Sequence, residues 1–360
     1  MDNPLDDDIA EPAAPASRGL LRRRSLVLGG SALAATGVAG LVAGGLALRD
    51  RKPTIRYSAS GLRKLNLAWN ADAICLSPAL YAKSAGIFEK NGLDVDLVNF
   101  AGSTDELLEA ISTGKADAGV GMILRWIKPL EQGFDVKLVA GTHGGCIRMV
   151  GSRSAGITED PASLRGKRIG ISDIAGAARN AFAVLLDYHG INPNTEVDWR
   201  AYPVPLLPEA MRKGEVDAVA DADPALYLLQ KRNGHNLVEV LSNLSAPWDR
   251  RVCCVVGVAG NVLRHDKTAA SALVLSLVEA ASICSRDPDT VARLFAPYAK
   301  ASVADLAWIL RSQTHNHHPV GTDLVGEISQ YATEFRRIGV LRQSTDPHEF
   351  ANRVVENVSA

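Results

Sequence analysis

In the stretch AGTHGGCIRMVG, residues 140–151, a hydrophobic run breaks into a histidine, two glycines and a cysteine before resuming with Arg148. His143 and Cys146 beside a bare backbone loop suit three kinds of chemistry: an activated thiol, a metal site, or a loop whose backbone N–H groups receive a ligand. An activated thiol needs a neighbouring cation or a helix N-terminus, and its base needs a third group to orient it. The sequence offers only His143 itself, three residues away. The glycines let a ligand approach the main chain closely, so His143, Gly144, Gly145 and Cys146 read as a ligand cradle. A tight turn with a surface histidine is the alternative.

The five cysteines, Cys75, Cys146, Cys253, Cys254 and Cys284, form no CxxC pair, which argues against a structural zinc module. Each reads first as small buried filler. A second arrangement gathers Cys75 after the first strand, Cys146 after the fourth and one of Cys253 and Cys254, whose side chains alternate along a strand. With His143 these supply soft donors for a thiophilic metal or a metal-bearing ligand. The filler reading is the one carried forward, with no metal and no cofactor expected. THNHHP, with His315, His317 and His318, reads as a solvated surface cluster. No Ser/His/Asp order and no metalloprotease motif stands in the chain, and the expectation is a binder rather than an enzyme.

These residues need elements to position them. From Leu65 onward strand-like and helix-like stretches alternate: KLNLAWN, then a helix from Ser77 to Asn91, LDVDLVNFAG, a helix that Ser103 caps, ADAGVGM and DVKLVAGTH. A second unit from DPASLRGKRIGISD repeats that order, and STGKADAGVG matches RKGEVDAVAD in plan. Such alternation with short connections predicts an α/β fold with largely parallel sheets. At 360 residues, 47% of them hydrophobic and 22% charged, the chain is long enough for two lobes. A net charge of −1 and no long basic run past the N-terminus exclude a nucleic-acid partner.

Before these units, Arg22, Arg23 and Arg24 precede an apolar, Gly- and Ala-rich stretch from Leu26 to Leu48. RRSLV fits the twin-arginine pattern of exported proteins, with an uncleaved membrane anchor as the alternative.

The stretch NADAICLSPALYAKSAGIFEKNGLDVDLVNFAGSTDELLEAISTGKADAGVG, followed by LRGKRIGIS and GEVDAVADADP, resembles the periplasmic solute-binding proteins of ABC importers for nitrate, taurine and sulfonates. That group also includes binders of aminopyrimidine thiamine precursors. The resemblance covers roughly Lys64 to the C-terminus. It implies a type II periplasmic-binding-protein fold, two α/β lobes with a ligand cleft between them. It also implies export to the periplasm or cell envelope and delivery of a small molecule to ABC permease and ATPase subunits. Contact with a membrane is then only through the permease or an uncleaved anchor. On this plan residues 1–25 are a polar twin-arginine region and 26–48 the export signal or anchor. Residues 64–151 and 254–360 form lobe one with C-terminal helices, and 152–253 form lobe two.

Open α/β sheets bind at the carboxyl ends of their strands, which selects the cleft residues. In lobe one they are Asn70, Asp72, Ser103, Thr104, Gly121, Met122, the 143–146 loop and Cys254. In lobe two they are Ser172, Asp173, Gly176, Asp221 and Asp223. The crowding of carboxylates favours a nitrogen-bearing ligand, with Asp221 or Asp223 accepting its hydrogen bonds, while nitrate and sulfonates stay open. The resemblance extends to fungal aminopyrimidine synthases, which carry a cysteine-rich stretch near VCCVVG, where only two cysteines stand here. A synthase-like or metal-dependent enzyme and a ligand-sensing subunit of a membrane sensor are the alternatives.

Overall fold

The computed structural model describes residues 54–100 and 104–358. The twin-arginine region, the export or anchor segment and Ser103 lie outside the described residues.

Among the described residues ten strands, β1 (Arg63–Trp69), β2 (Leu93–Asn99), β3 (Ala118–Met122), β4 (Val136–His143), β5 (Ile147–Ser152), β6 (Arg168–Ile171), β7 (Asp198–Ala201), β8 (Ala218–Ala222), β9 (Leu237–Ser242) and β10 (Cys254–Ala259), alternate with helices. They make two five-stranded sheets in the orders β2-β1-β3-β10-β4 and β7-β6-β8-β5-β9. The fold is α/β, as the alternation predicts. The sheets are mixed rather than largely parallel. β10 runs antiparallel to β3 and β4, and β5 antiparallel to β8 and β9. The cause is the connectivity: each sheet takes in, at its fourth position, the strand that has just crossed from the other.

The two sheets therefore repeat one plan, and the matched sequences fall on matched places. Gly114 and Gly214 both end a helix with positive φ, +76° and +69°, where a side chain would be strained. Asp117 then accepts the Asn66 N–H at 2.8 Å and Asp217 accepts the Arg168 N–H at 2.9 Å. Each aspartate satisfies the backbone of the neighbouring strand at the same point of its repeat, which explains the acidic residue in both stretches.

β10 is buried at all six positions, as a central strand covered on both faces must be. Gly121 and Gly257 flank the fully buried Trp126, and a Cβ at either would lie 2.4 or 2.8 Å from its indole. Gly121 thus makes room for a core side chain.

Candidate metal centre

The chain passes between the sheets twice, through residues 144–146 and through 243–253, and the chemistry lies where these crossovers meet. β1 leads to a short 3₁₀ turn, Ile74–Leu76, that carries Cys75. β4 ends on His143, and Cys146 follows in the first crossover. Cys253 closes the second crossover, and Cys254 opens β10 opposite His143 on one side and Met122 on the other. One ligand atom each from Cys75, His143, Cys146 and Cys254 lie within 4.8 Å of one another, all buried. Cys253 Sγ is 3.2 Å from Cys146 Sγ. The structure thus brings together the soft donors that the sequence offered as a second arrangement. Cys284 lies apart, with Ser77 Oγ at 4.0 Å from its sulfur.

The double glycine has a local cause. A Cβ at Gly144 would sit 1.9 Å from the Asp249 carbonyl oxygen, and one at Gly145 would sit 1.7 Å from the Asn243 carbonyl oxygen. The main chain that approaches closely is the second crossover of the protein itself. Asn243 fastens the two crossovers together: its Oδ1 accepts the N–H groups of Cys146 and Ile147 at 2.8 and 2.9 Å.

His143 is fully buried. Its Nδ1 meets the Gly144 carbonyl at 2.6 Å, and its Nε2 has no hydrogen-bond partner among the described residues. Burial alone would lower this imidazole, but the charges on Cys75 and Cys253 outweigh it and hold it at about 8. Hydrogen bonds from Cys146 and Cys254, against the cost of burial, hold the Cys75 thiol well below its ordinary range. Hydrogen bonds with Cys253, Cys254 and Cys75, together with burial, push the Cys146 thiol up. Hydrogen bonds from Cys146 and Cys254, against the cost of burial, lower the Cys253 thiol as well, and the cluster is a set of soft donors that a thiophilic cation satisfies.

The C-terminal segment walls this cluster. The Gly144 N–H donates to the Thr314 carbonyl and the Gly141 N–H to the Pro319 carbonyl, at 2.9 and 2.8 Å. His315, expected on the surface, is instead fully buried, with its ring centroid 5.8 Å from that of His143. Burial, reinforced by the charge on His143, lowers it to about 3 and keeps it neutral. Neither ring nitrogen has a partner among the described residues. Only the partly exposed His317 bonds to an acid, Glu327, at 2.7 Å. Sequence reasoning missed His315 because apolar packing along residues 313–319 has no periodicity to read, and it missed Asn243 because nothing in the letters signals its role.

The other cleft residues are more dispersed. Asn70 Oδ1 accepts the N–H of the exposed Asp72 at 2.8 Å. Thr104 opens the helix Thr104–Ser112. Met122 is half-buried at the end of β3. Ser172 is exposed. Asp173 pairs with Arg125 at 2.8 Å, and the buried Asn180 donates to the Leu124 carbonyl at 3.0 Å, so the segments after β3 and β6 meet. Gly176 begins the helix Ala177–Tyr188, where a Cβ would lie 2.8 Å from the Asp173 carbonyl oxygen. Burial raises the Asp221 carboxyl, with the Ser172 hydroxyl and the Ala222 N–H acting against it.

Asp223 is already engaged. It accepts from Arg148 Nε at 2.8 Å and from the Tyr227 N–H at 3.1 Å. Arg148 also reaches Glu239 at 2.6 Å and Ser312 at 3.3 Å, with Trp308 against its face. Burial, opposed by Arg148, brings the Asp223 carboxyl to about 6. Removing one member of a buried pair strands the other, so Asp223→Ala is expected to cost about 3–5 kcal/mol in urea unfolding. A change below about 1 kcal/mol would show that water reaches Arg148 freely.

The geometry defines the class first: two mixed sheets repeating one plan, joined by two crossovers, with donors at the strand ends, are the architecture of the periplasmic binding proteins. The ligand-binding component of an ABC-type import system from Staphylococcus aureus with zinc bound superposes with a TM-score of 0.67 at 15% identity, over 82% of this chain and 96% of that one. The alkanesulfonate-binding protein SsuA from Xanthomonas axonopodis bound to MOPS gives 0.67 at 18% identity, over 82% and 98%. The chain belongs to the NMT1-like family, whose model matches residues 58–296. A 4-amino-5-hydroxymethyl-2-methylpyrimidine phosphate synthase of Uromyces fabae is 31% identical over 157 residues, 42% of this chain. The match spans 43% of that relative's length. The expectation of a binder rather than an enzyme is thereby corrected, because this curated relative is named as a synthase.

Proposed function

We propose that this protein captures solute between two lobes, each built on one sheet, and that a soft cation held by Cys75, His143, Cys146 and Cys254 anchors what it captures. The lobes are residues 63–143 with 254–358, and 147–242, so the boundary falls before β5 rather than after residue 151. The observation that carries this reading is the buried set of four donors within 4.8 Å, with His143 Nε2 unpartnered among the described residues. Three sulfurs and one imidazole suit a tetrahedral Zn(II) site or a Cu(I) site, where thiolate softness sets the preference. The cation lies where two crossovers join the lobes, so its bonds link the lobes' relative position to occupancy. Export through the twin-arginine signal and delivery to an ABC permease complete the proposal, supported by the RRSLV pattern and by the importer components that share the fold.

The test is elemental analysis of reduced, full-length protein after equilibration with Zn(II), alongside Co(II) absorption. One zinc per chain, removed by a chelator, and sulfur-to-cobalt charge-transfer bands are expected. Absence of both from the folded protein would refute the proposal. The name of the curated relative favours a second reading, a metal-dependent synthase on the same fold. Release of an aminopyrimidine phosphate by the metal-loaded protein would select it.

A further inference from the structure

Cys253 stands outside the group of four donors yet lies nearer to one of them than ordinary packing brings two thiols. Its sulfur is 3.2 Å from Cys146 Sγ, and a disulfide closes at about 2.05 Å, so an approach of about 1 Å joins them. Both cysteines sit on held backbone. The Cys146 N–H donates to Asn243 Oδ1 at 2.8 Å, the Cys253 N–H donates to the His143 carbonyl at 2.9 Å, and the Cys253 carbonyl accepts from the Ile123 N–H at 2.9 Å. Asn243 Nδ2 is 3.6 Å from Cys253 Sγ, placing a donor beside one sulfur of the pair. One cysteine ends the first crossover and the other ends the second.

We infer that Cys146 and Cys253 form a redox modification site, a dithiol that a small disulfide of the glutathione class converts into a cystine bridging the two crossovers. The reaction balances as thiol–disulfide exchange. Cys253 sulfur attacks one sulfur of the oxidant, whose other half leaves as a thiolate and takes up a proton. Cys146 sulfur then attacks the mixed disulfide at Cys253, and the second half of the oxidant leaves and is protonated in turn. Two protein thiols are oxidised to one cystine, and one disulfide is reduced to two thiols. Both sulfurs are fully buried, so exchange proceeds through local opening of the structure around them.

The bridge spans a sequence separation of 107 residues, enclosing the whole second sheet. It also withdraws Cys146 from the donor set. This consequence rests on the metal reading proposed above, whereas the dithiol stands on its own geometry. Oxidation and metal binding then exclude each other, and the centre releases its cation under oxidising conditions and regains it on reduction.

The full-length protein, stripped of metal with a chelator, is treated with glutathione disulfide, alkylated, digested and mapped by mass spectrometry, beside Cys253→Ser. The expected result is a Cys146–Cys253 linked peptide in the wild type and none in the variant. The variant keeps one zinc per chain. Oxidised wild type binds zinc at least about 100-fold more weakly, and dithiothreitol restores it. Linkage of Cys146 to a different cysteine, or no linkage in folded protein, overturns the inference. Loss of zinc from folded Cys253→Ser also overturns it, because Cys253 is then a ligand. Formation of the linked peptide in a protein that binds no zinc supports the dithiol and removes only the metal reading.

Discussion

Replacing His143 with alanine is expected to abolish stoichiometric zinc binding while the protein stays folded. The imidazole is the sole nitrogen donor in the group of four, and its Nε2 has no competing partner among the described residues. Even residues that only orient a metal ligand contribute 10–100-fold to affinity in metalloproteins, at order of magnitude. Loss of a ligand itself is expected to exceed about 100-fold. Isothermal titration with Zn(II), with circular dichroism to confirm folding, checks it. His143→Cys, which keeps a soft donor, is expected to recover part of the loss. Equal affinity in wild type and His143→Ala would place the ion elsewhere and sink the assignment of this histidine.

Gly145→Ala is expected to be the most damaging substitution of a single methyl group in the chain's described residues. The new Cβ would lie 1.7 Å from the Asn243 carbonyl oxygen and 2.9 Å from Asn243 Oδ1. The obstacle is main chain, and Asn243 is tied to Cys146 and Ile147 by two hydrogen bonds. Ordinary overpacking costs roughly 1–3 kcal/mol where side chains turn aside; here they have no such freedom, and a loss above about 3 kcal/mol is expected. Urea unfolding measures it directly. Gly326, whose Cβ would meet nothing within 4 Å, is the control, and Gly326→Ala is expected to be neutral or stabilising. An unchanged midpoint for Gly145→Ala would mean that the two crossovers slide past each other at little cost.

The repeat was legible because local rules govern it. Glycine ends a helix where φ is positive, an aspartate follows three residues later, and a buried strand comes next; those constraints act within ten residues, so STGKADAGVG and RKGEVDAVAD carry them openly. The mixed sheets were not legible, since whether β10 enters between β3 and β4 depends on pairing with strands more than 100 residues earlier. The double glycine announced a close approach, but nothing in the letters said that the approaching group was Asn243 and Asp249 of the same chain rather than a ligand. Soft donors could be counted, and their convergence depends on three separate stretches, near 75, 143–146 and 253–254, arriving at one point. The carboxylates suggest a nitrogen ligand only while their partners are out of view. Asp223 is committed to Arg148, and only the three-dimensional pairing reveals that.

The visiting strand in each sheet also sets an order of assembly during synthesis. The second sheet draws on one continuous stretch, residues 147–242, and has all its strands as soon as β9 is made. The first sheet does not: β3 and β4 are made early, yet the strand that separates them begins at Cys254. Until then each presents an unpaired edge, the feature through which nascent chains stick to one another. The early half of the chain must wait for the late half, and a nascent chain that has emerged from the ribosome only as far as residues 242–254 would carry one finished sheet and one open one. Cys254 is also the last of the donors to emerge, so closure of the first sheet and completion of the centre are the same event.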